Sequence, residues 1–217
     1  MTKSVKGFGD NTKHPNLIID NFVGKSYSDR LFNVAISPVF QWKFEAIDVT
    51  YGTSLPSNRK QYANTGWVHH LLQDDDYSEF LNLYVPLLDN IQDTVGTKCS
   101  FTRLRVAMHQ NTIGSPKYNN PHTDYQDDHY AAIYYLNDSD GDTVLFKEYD
   151  DPDSGSVNQR WERNRSMTDF TIQETVTPKQ NRLLIFDGHQ FHASSHPKES
   201  NYRIILNVNF TTETPIF

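Results

Sequence analysis

Residues 202–210 alternate with a period of two. Ile204, Leu206, Val208 and Phe210 fall on one side of an extended chain, and Arg203, Ile205, Asn207 and Asn209 on the other. The first side predicts a face packed on helices. The second sends a cation and two amides into a barrel interior, where burial is costly unless they meet a ligand or one another. Residues 101–109 alternate in the same way, with Leu104, Val106 and Met108 opposite Arg103, Arg105, Ala107 and His109. Further strands are predicted over 130–137, 143–147, 170–176, 182–187 and 190–194, with Gly, Pro, Asn and Asp between them.

The N-terminal part reads differently. After a polar leader, Leu17 to Ile19 form a short strand, and residues 26–37 recur at helical spacing until Pro38 stops them. Trp42 to Tyr51 read as a strand. A longer helix is expected from Asp76, with Glu79 as the back half of a capping box. Its stripe runs through Tyr77, Phe80, Leu81, Tyr84, Leu87, Leu88 and Ile91, and Pro86 inside it should kink or split it. Two helices followed by about seven strands predict a mainly β protein, with helices packed on one side of an antiparallel sheet pair. The closed form of such a pair is a jelly roll.

Composition narrows the class. The chain has 217 residues, 36% hydrophobic and 22% charged, which fits one globular domain over 1–217, with helical support mainly in 1–99 and a jelly-roll core in about 100–210. A net charge of −7 argues against nucleic acid and anionic membrane as partners, since both require a basic excess. A single cysteine, Cys99, excludes an internal disulfide and fits a reducing cytoplasm. The first residues lack the apolar core of a signal peptide, and no stretch is apolar over a membrane-spanning length. The expected location is cytoplasmic. Nothing in the sequence sets the oligomeric state.

The candidate chemistry lies in three places. His122-Thr123-Asp124 follows a Gly/Pro/Asn-rich loop and precedes the strand Ala131 to Asn137. Residues i and i+2 share a strand face, so His122 and Asp124 can reach one metal ion. An H-x-D alone is a weak signal, and a loop histidine beside a solvated aspartate fits it equally. His192 lies between Phe191 and Ala193, as expected for a strand end at a barrel mouth. His189 and His196 adjoin Gly188 and Pro197 and read as exposed loop histidines, and His129 as a surface histidine beside Asp127 and Asp128. Two imidazoles and one carboxylate with open positions form the facial triad of non-haem Fe(II) oxygenases. Arg203 adds a planar fork suited to a carboxylate.

Together these residues resemble the prolyl-hydroxylase-like branch of the Fe(II)/2-oxoglutarate-dependent dioxygenases, over about residues 100–210. The resemblance rests on His122-Thr123-Asp124, the Ile133 to Asn137 strand, the Gly141-Asp142-Thr143 turn, the Arg182 to Asp187 strand, His192 and Arg203. The turn departs from the family's frequent Gly-Gly before an acidic residue. The resemblance implies a double-stranded β-helix with His122, Asp124 and His192 as iron ligands and Arg203 on the distal carboxylate of 2-oxoglutarate. It gives Tyr135 a hydroxyl contact to that carboxylate, places His109 near the co-substrate's chelating end, and lets Asn207 complete the pocket. For these three, a core tyrosine and sheet-face polar residues are the competing readings. Implied cofactors are Fe(II), 2-oxoglutarate and O2, with ascorbate admitted as a reductant. The implied reaction is hydroxylation of a protein, peptide or amino-acid side chain, coupled to decarboxylation of 2-oxoglutarate to succinate. A non-catalytic jelly-roll binding module and a zinc hydrolase using the same ligands are the alternatives. The loops 111–121 and 150–167, the latter with Arg160, Trp161, Arg163 and Arg165, are expected to form a loosely held lid.

Overall fold

A computed structural model describes residues 16–45, 66–74 and 76–216. In chain order come β1 (Leu17–Ile19), α1 (Lys25–Ala35), β2 (Lys43–Glu45), β3 (Gly66–Gln73), β4 (Asp76–Tyr77), α2 (Leu81–Val95) and β5 (Cys99–Gln110). There follow β6 (Tyr130–Tyr135), β7 (Thr143–Tyr149), α3 (Val157–Ser166), β8 (Ile172–Val176), β9 (Arg182–Asp187), β10 (Gln190–Ser194) and β11 (Tyr202–Thr212). A large sheet has the order β1-β9-β6-β11-β5-β3-β2, with β4 paired to β3, and a small sheet the order β10-β7-β8. The pairings are antiparallel, as expected of a jelly roll built from non-consecutive strands. Among the described residues no helix is long and apolar enough to cross a membrane.

The alternation on β11 decides how the layers stack. Ile204, Leu206, Val208 and Phe210 bury against Leu31 of α1 and Tyr84, Leu87 and Ile91 of α2. Ile205 turns the other way and packs between the sheets with Ala107, Ile133, Tyr135, Leu145 and Leu184. The outer side of the small sheet is closed by a third cluster, Val144, Phe146, Phe191 and Ala193, under Tyr118 and Phe170.

Several N-terminal expectations change. The helix starts at Leu81, because Asp76 and Tyr77 pair with Gln73 and Leu72 and Ser78 turns the chain. Phe80 is its N-cap, with no side-chain cap, and Glu79 forms no capping box. Tyr77 is exposed rather than part of the apolar stripe. Pro86 neither splits nor ends α2, which runs unbroken to Gly96, a left-handed C-cap with φ of 72°. A proline removes one backbone donor, and the burial of Tyr84, Leu87, Leu88 and Ile91 on either side of it outweighs that loss. Of the strand expected over 42–51, Lys43–Glu45 is seen as β2 and Trp42 lies before it, while residues 46–51 and the polar leader lie outside the described residues.

The 150–167 segment is not the loose loop anticipated. Val157–Ser166 is a helix with a reciprocal capping box between Ser156 and Gln159. Buried Arg160 forks onto buried Asp150 and donates to the Gln126 carbonyl at 2.7 Å, while Arg163 reaches Asp150 at 3.2 Å. Arg165 lies over the Trp161 ring at 4.1 Å. Hydrophobic periodicity gave no sign of this helix, which is held by ion pairs and a cap.

Candidate metal and co-substrate site

The two sheets leave a cavity lined by side chains of β5, β6, β7, β10 and β11, together with His122. His122 lies outside the named strands but bridges His192 of β10, with backbone N–H to O distances of 3.0 and 2.9 Å in the two directions. This extends the small sheet by one residue and sets the two imidazoles side by side. Asp124, two residues on, reaches across to the large sheet.

The ligating atoms of His122, Asp124 and His192 all lie within 4.8 Å of one another. His122 Nδ1 lies 3.0 Å from the Asn120 carbonyl and His192 Nδ1 lies 3.2 Å from the Gln190 carbonyl. A carbonyl accepts only, so each Nδ1 carries a proton and each Nε2 is the ring nitrogen turned to the metal position. Burial, and then the neighbouring His122, push His192 down to about 3, so its ring is neutral at physiological pH. Burial opposes ionisation of Asp124, but Arg103, His192 and His122 overcome it and hold the carboxyl well below its usual range. Arg103 Nη2 is 2.8 Å from Asp124 Oδ1, and Asn209 Nδ2 donates to Oδ2 at 2.8 Å. Arg103 Nε in turn donates to Asn209 Oδ1 at 2.9 Å, closing a rigid cradle around the carboxylate. Two imidazoles and one anchored carboxylate fit a divalent iron.

Arg203 is almost fully buried. Its Nη2 donates to Thr143 Oγ1 at 2.7 Å, while Nε and Nη1 have no hydrogen-bond partner among the described residues. Two unmet guanidinium donors on a cavity wall fit an anionic ligand, because a buried cation without partners is costly. Gly141 leaves room for this arrangement, since a Cβ there would lie 3.0 Å from Arg203 Cδ and 2.8 Å from the Ser195 carbonyl.

Tyr135 stands one step back from its expected position. Its buried hydroxyl donates to Thr143 Oγ1 at 2.8 Å, and Thr143, not Tyr135, lines the cavity. Thr143 accepts from both Tyr135 and Arg203, which leaves its own hydroxyl proton to be offered to an anion. Sequence reasoning placed Thr143 at a strand start and gave it no role. Asn207 lines the cavity and donates to Asp124 Oδ2 at 3.3 Å, so it serves the carboxylate end. His109 is also on the wall, with Nε2 3.2 Å from Ser194 Oγ.

Three histidines read as exposed are buried. His189 is 0% accessible, with Nε2 2.9 Å from Asp128 Oδ1. His196 Nδ1 meets the Gln110 carbonyl at 3.0 Å, and His129 Nδ1 meets the Asp127 carbonyl at 2.8 Å. Among the described residues, none of them joins the triad's cluster. Neighbouring Gly188 and Pro197, and for His129 the adjoining aspartates, gave the wrong signal, since all three rings are buried.

Residues 107–211 match the model of the 2OG-Fe(II) oxygenase superfamily. Among solved structures, a 2OG-Fe(II) oxygenase family oxidoreductase from Burkholderia pseudomallei aligns with a TM-score of 0.60 at 11% identity, covering 92% of this chain and 86% of that one. SnoN, a non-haem α-ketoglutarate-dependent epimerase of nogalamycin biosynthesis, aligns with a TM-score of 0.57 at 10% identity, covering 91% of this chain and 78% of that one. A prolyl hydroxylase from Trichoplax adhaerens, in complex with a hypoxia-inducible-factor peptide fragment, aligns with a TM-score of 0.55 at 16% identity, covering 91% of this chain and 84% of that one. At identities this low the superpositions show a shared fold alone. A comparison with curated proteins gives no match.

Proposed function

We propose that this chain, whose residues 107–211 match the model of the 2OG-Fe(II) oxygenase superfamily, is a single-domain oxidoreductase that works with Fe(II), 2-oxoglutarate and O2 and hydroxylates a protein or amino-acid side chain. In this reading His122, Asp124 and His192 hold the iron, and Arg203 holds the distal carboxylate of 2-oxoglutarate with the Thr143 hydroxyl beside it. Tyr135 fixes Thr143, Asn207 steadies Asp124, and His109 borders the co-substrate. When bound, the iron and 2-oxoglutarate supply an oxidation by O2 coupled to release of succinate and carbon dioxide.

The observation that carries the reading is one cavity shared by His122, His192 and a buried arginine with two unmet donors. The protein's part is positional. The Arg103–Asn209–Asp124 cradle fixes the carboxylate, the two backbone carbonyls fix the imidazoles, and the apolar wall of Ile133, Ala193 and Ile205 limits water at the reacting centre. A zinc hydrolase gives Arg203 no role, and a binding module needs no cradled triad. Anaerobic titration with Fe(II) and then 2-oxoglutarate tests the reading. A weak visible charge-transfer band should grow only when both are present, and 2-oxoglutarate should then be consumed to succinate under oxygen. Its failure to appear with a folded protein overturns the assignment.

A further inference from the structure

On β5, Arg105 shares the inward face of Arg103 and His109 and lines the same cavity as His122 and His192. Unlike Arg103 and Arg203, it makes no hydrogen bond or ion pair among the described residues, and its Nε is buried without a partner. Burial first, and then the nearby Arg103, work against its charge, while Asp124 and Glu45 favour it without closing an ion pair. Register sets His70 of β3 directly opposite Arg105, and Glu45 of β2 opposite Gly66, at the neighbouring edge of the sheet.

Arg105 also lines a second, adjoining hollow with Glu45, Gly66, Trp67, Val68 and His109. Glu45 is partly buried there. Its Oε1 lies 3.6 Å from His70 Nε2, and its Oε2 is buried without a hydrogen-bond partner. Arg105 and Glu45 are thus two opposite charges around one small hollow that do not close on each other. Gly66 keeps the hollow open, since a Cβ at that position would lie 3.0 Å from the Met108 carbonyl and 3.3 Å from His109 Nδ1. An unmet cationic donor and an unmet anionic acceptor across a gap match a ligand with the reverse charges, a carboxylate beside an ammonium.

We propose that the primary substrate is a free α-amino acid, its carboxylate held by Arg105 and its ammonium by Glu45, with the side chain directed toward His122 and His192. This rests on the proposed oxygenase function and narrows its substrate class. A peptide-bound residue lacks both terminal charges and leaves Arg105 and Glu45 unmatched. Arg203 takes no part, because it lies four residues from Asn207, which pairs with Arg105, along β11, about 13 Å at the usual strand rise.

The test uses the whole chain loaded with Mn(II) and 2-oxoglutarate, and calorimetric binding of the twenty free L-amino acids and of their N-acetyl and carboxamide forms. At least one free amino acid should bind, and masking either terminus should weaken it by about 30-fold or more. Arg105→Gln and Glu45→Gln should weaken it similarly while 2-oxoglutarate affinity stays within about twofold. If Mn(II) and 2-oxoglutarate bind but no free amino acid does, or the masked forms bind equally well, this inference falls and the oxygenase reading stands. If neither Mn(II) nor 2-oxoglutarate binds the folded protein, the oxygenase reading falls and takes this inference with it. The masked ligands need only the unaltered protein, so a variant that misfolds leaves the outcome decided.

Discussion

The two faces of β11 are made by neighbouring residues of one strand and have opposite energetics. Toward the helices, Ile204, Leu206, Val208 and Phe210 are buried in the hydrophobic core. Toward the cavity, Arg203, Asn207 and Asn209 are buried almost as completely, yet every one is polar. The first face gains by leaving water, at roughly 25 cal/mol per Å² of apolar area. The second loses by leaving water and recovers only through partners. Asn207 and Asn209 find theirs in Asp124, whereas Arg203 keeps two donors unmet. The difference separates stability from function along a single strand, since groups that spend stability mark where a ligand restores it.

The largest expected effect is on the cavity face. Asp124→Ala or His192→Ala should abolish 2-oxoglutarate turnover, while His189→Ala, outside the triad, should retain most of it. Succinate release measures all three, and full activity of His192→Ala would move the metal elsewhere. Next, Arg203→Ala should weaken 2-oxoglutarate binding by about 30- to several thousand-fold, as expected when one partner of a desolvated charge pair is lost. Its iron requirement should change far less. Unchanged 2-oxoglutarate affinity would place the anion at another site.

On the other face the order should invert. Leu206→Ala should cost about 2–5 kcal/mol in denaturant unfolding, with 2-oxoglutarate affinity preserved in the folded fraction. If affinity fell in parallel, the two faces would not be separable. A finer cut lies within the cavity. Thr143→Val should weaken 2-oxoglutarate binding by about tenfold, near the value of one hydrogen bond to a charged group, and Tyr135→Phe should do less because it acts through Thr143.

The smallest effect is on pH dependence. The folded-state pKa of Asp124 is depressed, so its contribution to stability is full above the unfolded carboxyl value near 3.9 and is lost as pH falls through the lower folded value. In metal-free protein, Asp124→Asn should therefore flatten the acid limb of the stability curve. Leu206→Ala should displace that curve without altering its slope. Equal slopes for wild type and Asp124→Asn would mean that Arg103 does not hold the carboxylate ionised in solution.

Legibility followed the same division. The strands over 182–187 and 190–194 were readable to the residue, because short runs bounded by Gly, Asn and Pro turn residues mark strands buried on both faces. Strand β3 was not anticipated, since Gly66-Trp67-Val68-His69-His70 mixes polar and apolar positions on both faces. The helix Val157–Ser166 was missed for a related reason, its burial being through Arg160 and Asn164 rather than an apolar stripe. The order of His122, Asp124, His192 and Arg203 was readable from spacing and strand context. The roles of Arg103 and Asn209 behind Asp124, and of Thr143 between Tyr135 and Arg203, were not, since Asn209 meets Asp124, and Arg203 meets Thr143, across strands far apart in sequence.

The sequence by itself determined the alternating strands, the polar inner face of β11 and the residue types fit for iron and a carboxylate. These follow from covalent geometry, because successive side chains on an extended backbone must point to opposite sides. Only the tertiary structure decided which histidine stands beside His122 and which donors Asp124 receives. It also decided which of the inward arginines is left unpaired. Those outcomes depend on sheet register, where a shift of one residue exchanges the two faces, and register is set by the packing of the whole barrel.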